Sequence, residues 1–414
     1  MIRAVELFAG VGGFRVGLNH IKEFDKITNL AIENGKYSFV FANQFEPATK
    51  TQSAYECYIK RFDKDSCSNL DISLVDKKSI PDHDLLVGGF PCQDYSVARS
   101  LKDESGIKGK KGVLFWDIKD AILAKKPPFV LLENVDRLLK SPSTRRGRDF
   151  AIMLKTFNDL GYNVEWRVIN AGSYSMPQRR KRVFIFAFKK SSHYSKKLKK
   201  DAQFLEQNTL FNSVFKIKAT GFNQKSLAEY KDIVDISDNY KQGAFSEYGV
   251  MIDEVCYELS FKEKKEREFT LQDILNLSSE HNQNLDSYII KNKNLDKWKY
   301  LKGAKKIERT RKDGSRYFYS EGAIAFPDDL EKPARTMLTS EGTTNRSSHI
   351  IYDKKIKNYR ILTEIETELI QMFPPNWTNS GMSSRQRYFM MGNALVTGIL
   401  SKLEPRLSEI ILNS

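Results

Sequence analysis

No run of about 18 uninterrupted apolar residues occurs in the 414-residue chain, so no membrane-spanning helix is expected. The N-terminal "MIRAVELFAG" lacks the basic, then apolar, then small-residue order of a signal peptide. It reads instead as the first strand of the fold. Cysteine is scarce: Cys57, Cys67, Cys92 and Cys256 form no C-x-x-C pair, and only five histidines are present. A structural zinc site, or any other metal site, is therefore not expected, and the thiols read as reduced groups of an intracellular protein. Acid is also in short supply. Asp and Glu number 52 against 67 Lys and Arg, a formal net charge of +15, with a pI near 9.3. The excess points to a polyanionic partner, most simply nucleic acid; the plainer reading is solubility in a Lys- and Asn-rich composition. Internal repeats and long low-complexity tracts are absent too.

What is there begins with apolar runs. "AVELFAG", "FVFANQ", "DLLVGGF", "FVLLENV", "VEWRVINA" and "RVFIFAF" each read as a strand, with amphipathic stretches between them. Strands alternating with helices indicate an α/β fold with a largely parallel sheet over about residues 1–190. Near Lys189 the character changes, and "KKSSHYSKKLKKDAQF" suits a linker or surface arm. Residues 191–358 are irregular and rich in Lys, Asn, Tyr and Phe. Within them, "KYLKGAKKIERTRKDGSRYFYSEG" sets basic residues and aromatics around an Asp-Gly turn, which predicts a hairpin. Helical periodicity returns in 359–414, where Ile365, Leu369 and Met372 fall on one face.

Several short stretches carry candidate chemistry. In "ELFAGVGGF", Gly10, Gly12 and Gly13 form a turn between strand and helix that allows close approach of a ligand. The spacing is not the dinucleotide G-x-G-x-x-G, and a plain tight turn is equally consistent. Gln44, Phe45 and Glu46 stand where a doubly wound sheet grips a ribose. Phe45 either stacks on a base or fills core; Asp71 either accepts from an adenine amine or caps a helix. In "GGFPCQDYSVA", Cys92 follows Pro91 at a strand tip and is either core filler or a nucleophile. Glu133 in "LLENV" leaves an apolar strand at the same edge, where apolar surroundings would raise its pKa and suit it to general acid work; its alternative is a cap or ion pair. Gln178, Arg180 and Arg182 precede another strand and suit an acidic side chain, a base carbonyl or a phosphate, or form a solvated basic patch.

Taken with "RILTEIETELIQMFP" and "MMGNALV", these stretches resemble, in order and spacing, the C5-cytosine-specific DNA methyltransferase family, over residues 1–190 and 359–414. The resemblance implies a Rossmann-like sheet dependent on S-adenosylmethionine, with a second, smaller, irregular target-recognition domain at 191–358 and a C-terminal segment, 359–414, returning to the catalytic domain. It implies that Phe8, Gly10, Gly12, Gly13, Gln44, Phe45, Asp71, Phe90, Pro91 and Asn393 bind the cofactor. Gln44 departs from the family's usual ribose-binding Glu, which leaves Glu46 as a second candidate. Cys92 would add to C6 of cytosine, Glu133 would protonate N3, Arg182 would bind O2, and Arg180 would orient Glu133. The loop 93–111 would close over a base flipped from the duplex, with Gln93, Ser96, Gln178 and Thr336 near DNA. Arg309, Arg311, Lys312 and Arg316 are further candidate DNA contacts.

The first motif starts so near the N-terminus that a stand-alone, prokaryotic or phage-type enzyme is expected. It would be a cytoplasmic, nucleoid-associated monomer, acting on double-stranded DNA in a restriction–modification system with a cognate endonuclease, or as an orphan. The alternatives are a tRNA cytosine-C5 methyltransferase and a catalytically silent DNA-binding homologue.

Overall fold

The computed structural model describes residues 1–62, 65, 67–90, 114–281, 284–311 and 313–414. Its centre is a ten-stranded sheet of β1 (Ile2–Leu7), β2 (Tyr37–Asn43), β3 (Cys67–Ser68), β4 (Leu85–Gly89), β5 (Phe129–Val135), β6 (Tyr162–Asn170), β7 (Lys181–Lys189), β8 (Ile217–Ser226), β9 (Tyr248–Ile252) and β10 (Val255–Glu263). The strand order is β3-β2-β1-β4-β5-β7-β6-β9-β10-β8. The six apolar runs predicted as strands are β1, β2, β4, β5, β6 and β7. From β3 to β5 the pairing is parallel; from β5 onward it is antiparallel. Val5, Leu86, Val130 and Val164 face one hydrophobic cluster, and Ala4, Leu85, Leu131 and Phe186 the other. Runs buried on both faces give strands their continuous apolar character.

Strand order reverses between β1 and β4, so their C-terminal ends open a crevice, the place where such sheets bind ligands. The C-terminal helix Thr397–Leu412 packs on one face of this half. Leu395, Ile399, Leu400 and Leu403 pack in one cluster with Phe14 and Leu18 of helix Gly13–Leu18.

The segment 191–358 divides between two places. Residues 217–263 extend the central sheet through β9, which hydrogen-bonds to β6 from Val164↔Met251 to Arg167↔Tyr248. Leu205, Tyr248, Val250, Tyr257 and Leu259 form their own cluster on this extension. The basic stretch after Lys189 is only partly a surface arm, because Tyr194 within it is buried, as are Leu205, Leu210 and Phe211 just beyond it. The predicted hairpin is β11 (Lys305–Thr310) with β12 (Arg316–Glu321), turning at Asp313–Gly314. A second hairpin joins β13 (Ile350–Asp353) and β14 (Asn358–Ile361).

Helix Glu364–Ile370 does not bury the face its periodicity predicts. Ile365 and Leu369 are half-buried, whereas Glu366 and Glu368 are fully buried. The reason is pairing: Arg360 donates to Glu366 at 2.8 and 2.7 Å, and Arg387 donates to Glu368 at 2.9 Å. Met372, beyond the helix, has φ 60°. Among the described residues no helix is long and apolar enough to cross a membrane.

Candidate active site

At the end of β1 the chain turns through Phe8, Gly10 and Gly12 with φ of 55°, 56° and 86°. A left-handed phenylalanine carries strain of the kind that persists where surrounding structure demands it. At Gly12 a Cβ would lie 2.5 Å from Phe62 Cε2, so no side chain fits. At Gly10 a Cβ would meet nothing within 4 Å, leaving the backbone open in front. Gly13 begins the following helix. Beneath the turn sits a group the sequence reading missed. Glu6 is fully buried, accepts from Phe14 N–H at 3.1 Å and from Tyr58 O–H at 3.3 Å, and has its pKa raised to about 8 by burial, against the field of Arg15. Its signal in the sequence was a lone charge inside an apolar strand.

Gln44 follows β2 and is largely buried. Its Oε1 accepts from Gly10 N–H at 2.7 Å, so the amide is already tied to the glycine turn. Phe45 is half-buried. Glu46 has its pKa raised by burial, opposed by the backbone N–H of Ala54. It lines a pocket of about 300 Å³ shared with Lys50, Ser53, Arg385 and Phe389, and neither Phe8 nor Gln44 borders that pocket. Asp71 caps the short helix Ile72–Leu74, one oxygen accepting from Ser73 N at 3.0 Å and Ser73 Oγ at 2.8 Å. The cap reading of Asp71 therefore holds for that oxygen. Phe90 is buried in the core against Phe115. Asn393, at the end of helix Ser384–Asn393, is exposed.

Glu133 lies in β5, paired across to Gly89 of β4 and Phe184 of β7. Glycine at position 89 leaves room for its carboxylate; a Cβ there would sit 3.3 Å from Glu133 Oε2. Arg182 pairs with Val135, placing it diagonal to Glu133 on the same face, within reach of long side chains. Its Nε meets Glu133 Oε1 at 3.1 Å. Burial raises the Glu133 pKa above the usual carboxylate range; Arg182, and then Arg180, oppose it. The neighbouring Asn134 is buried and donates to the carbonyl of Phe90 at 3.0 Å. That bond fixes the last described residue before the Pro91–Cys92 stretch to the strand carrying Glu133.

Arg180 is buried, and its guanidinium donates to Met337 O at 2.9 Å and Gly392 O at 3.0 Å. Burial, then Arg182, weigh against its charge, and Glu133 supports it. Three segments distant in sequence thus meet on one cation. Gly392 is required there, since a Cβ would lie 2.5 Å from the backbone of Leu338 and Thr339. Gln178, expected to face DNA, is fully buried instead. Its Oε1 accepts from Met337 N–H at 2.9 Å, so in this structure it ties 178 to 337. Thr336 is half-buried and donates to Arg179 O at 2.8 Å. Pro91, Cys92, Gln93, Ser96, the rest of the loop 93–111, and Lys312 lie outside the described residues.

Gathered at one end of the sheet are therefore a glycine turn with open backbone, a half-buried carboxylate beside two arginines, and Phe90, the last described residue before Pro91 and Cys92. The family described as C-5 cytosine-specific DNA methylase matches residues 2–409. The chain is 46% identical to type II methyltransferase M.Sau3AI of Staphylococcus aureus over 99% of its own length and 96% of that protein. It is 34% identical to type II methyltransferase M.HhaI of Haemophilus parahaemolyticus, over 45% of the chain and 49% of that protein. Among solved structures, Dnmt2 methyltransferase of S. pombe superposes with TM-score 0.58 at 15% identity, covering 99% of both chains. DNMT2 of Spodoptera frugiperda gives 0.59 at 13%, covering 100% of both.

Proposed function

The chain belongs to the C-5 cytosine-specific DNA methylase family, and from that premise we propose that it methylates C5 of a cytosine flipped out of duplex DNA, through a covalent adduct of Cys92. Gly10 with its open backbone, the neighbouring Gln44 amide, the second oxygen of Asp71 and the exposed Asn393 fit a polar, nucleoside-bearing cofactor. When bound, S-adenosylmethionine supplies an electrophilic methyl group on a sulfonium.

The protein's own residues do the rest. Cytosine C5 is too weak a nucleophile until C6 carries an electron-rich substituent. The Cys92 thiolate forms a bond to C6, and the electron pair of the C5–C6 double bond becomes available at C5 as an enamine. Glu133, whose pKa burial raises, acts in its protonated form, donating to N3 and so absorbing the charge that addition places on the ring. Arg182 binds O2 while holding Glu133. Arg180 acts through its neighbours, fixing the 337 and 392 segments beside that pair. After transfer, a base takes the C5 proton, the pair re-forms the double bond, and Cys92 leaves. The ring must stand clear of the stack for both faces to be used.

The observation that carries this reading is the Glu133–Arg182 pair beside Gly89, three residues before Cys92. The extent of the identity to a protein named as a type II methyltransferase favours DNA, within a restriction–modification system and in a bacterial cytoplasm, over the tRNA and silent-homologue readings. A cognate endonuclease for the same site belongs to this proposal. Cys92→Ser should abolish methyl transfer and leave duplex binding within a few-fold. A 5-fluorocytosine duplex should trap the wild-type enzyme covalently only with cofactor present. Turnover by the serine variant at more than a small fraction of wild type would sink the adduct.

A further inference from the structure

We propose that the β11–β12 ribbon enters the DNA major groove and that Arg309 and Arg311 read guanine there, whereas Arg316 does not. The inference rests on the functional reading above. Neither strand joins any of the hydrophobic clusters of the described residues. Both faces stand open: Lys306, Glu308, Arg309 and Phe318 are exposed, and Tyr317 and Tyr319 half-buried. A two-stranded hairpin without a packing partner is marginal in water. Its base is nevertheless held firmly. Arg346 donates to Leu301 O at 2.8 Å and Gly303 O at 2.9 Å and pairs with Glu321 at 3.4 Å. Lys302 and Arg335 meet on Asp328, at 3.7 and 2.5 Å, joining the ribbon's stem to the strap from Ala334 to Glu341 that runs past Arg180. A rigid stem with a bare, basic, aromatic end fits a polyanion, and a two-stranded ribbon has the width of the major groove.

The register then separates the arginines. Arg309 pairs with Tyr317 and shares a face with Tyr319. Its guanidinium lies 4.0 Å from the Tyr319 ring, and that of Arg311 lies 5.0 Å from the Tyr317 ring. Neither makes an ion pair with a carboxylate among the described residues. A guanidinium held over an aromatic ring is a pre-oriented fork, the shape that takes guanine O6 and N7 together; Arg311 spends one N–H on Ser315 Oγ at 3.5 Å and keeps its others. Arg316 stands on the other face, opposite Thr310, and is paired with Glu308 at 3.4 Å. The Glu308 carboxylate would meet the same phosphates and base edges, so Arg316 carries an acidic neighbour that Arg309 lacks among the described residues.

The test uses the full-length protein. Bisulfite sequencing of DNA from cells expressing the wild type gives the methylated site; purified variants are then assayed on duplexes differing by one base pair, over a range of salt. Arg309→Ala and Arg311→Ala should each lose roughly 5- to 150-fold discrimination at one G·C pair. Arg309→Lys should not restore it, and 7-deazaguanine at that position should reproduce the loss with wild-type enzyme. Arg316→Ala should leave site choice unchanged. If Arg309→Ala and Arg311→Ala weaken every sequence alike and flatten the salt dependence, they are phosphate contacts and the proposal fails while the methyltransferase reading stands. Relaxed site choice in Arg316→Ala would overturn it equally. Absence of 5-methylcytosine with the wild type would overturn the functional reading, and this proposal with it.

Discussion

Glu133 shows how little separates an acid from a spectator carboxylate. Burial raises its pKa, and Arg182 and Arg180 pull it back. A raised carboxylate is protonated below its folded pKa and loses that proton as pH rises through it, so the acid-dependent rate should fall on the alkaline side. Removing Arg182 removes the larger opposing influence. Arg182→Gln should therefore move the alkaline limb of kcat/KM to higher pH while lowering the rate, and Glu133→Gln should abolish that limb at a cost of roughly 10²–10⁴-fold. A pH profile of the two variants decides this; an unmoved limb in Arg182→Gln would assign it to another group. Gln44 poses a different question. Its Oε1 already serves Gly10, and a carboxylate could keep that bond with one oxygen and offer the other to a ribose hydroxyl. Charged hydrogen bonds contribute about 1.5–3 kcal/mol against about 1 for neutral ones. Gln44→Glu should thus tighten S-adenosylmethionine binding modestly by calorimetry; unchanged affinity would place the ribose elsewhere, with Glu46 the next candidate.

At the scale of elements, the sequence was legible where one rule decided the outcome. Apolar runs buried on both faces gave β1, β2, β4, β5, β6 and β7 directly, and the Asp-Gly turn gave the β11–β12 hairpin. Polar groups buried in pairs were not legible, because each needs a partner distant in the chain. The helix Glu364–Ile370 buries its glutamates only because Arg360 and Arg387 arrive from either side. Gln178, which the resemblance places near DNA, is buried by a bond to Met337 that spans 159 positions. The meeting of Arg180 with Met337 and Gly392 has the same character. It makes a prediction about elements rather than single contacts. Gly392→Ala would push helix Ser384–Asn393 off the Leu338–Thr339 backbone, an overpacking cost of about 1–3 kcal/mol. The same shift would draw the Gly392 carbonyl from Arg180, so both thermal stability and turnover should fall. Lower stability with unchanged turnover per folded molecule would show that Arg180 keeps its place without Gly392.

For the whole molecule, the question is where chemistry ends and targeting begins. Composition changes near Lys189, which suggested that everything from 191 to 358 is one recognition domain. The hydrogen-bonded sheet, however, runs on past 191. Residues 217–263 continue the central sheet, and β9 covers the edge of β6 with Tyr248, Val250 and Met251 buried. Composition could not reveal this, because β8 is exposed along most of its length and reads as polar surface. The remaining part, 284–349, carries the exposed ribbon and the strap beside Arg180. An exchange experiment can separate these roles. Replacing 284–330 with the corresponding segment of a relative of different specificity should redirect methylation while cofactor binding and melting temperature stay close to those of the parent. The strap from Ala334 to Glu341 stays, since it holds Arg179 and Arg180. Deleting 217–263 should instead leave the protein unfolded or aggregated, because it strips an edge strand and exposes the unpaired N–H and C=O groups of β6. Far-UV circular dichroism and calorimetry with S-adenosylmethionine distinguish the outcomes. A folded, cofactor-binding deletion variant would show that β8–β10 form a separable unit and would restore the boundary at 191.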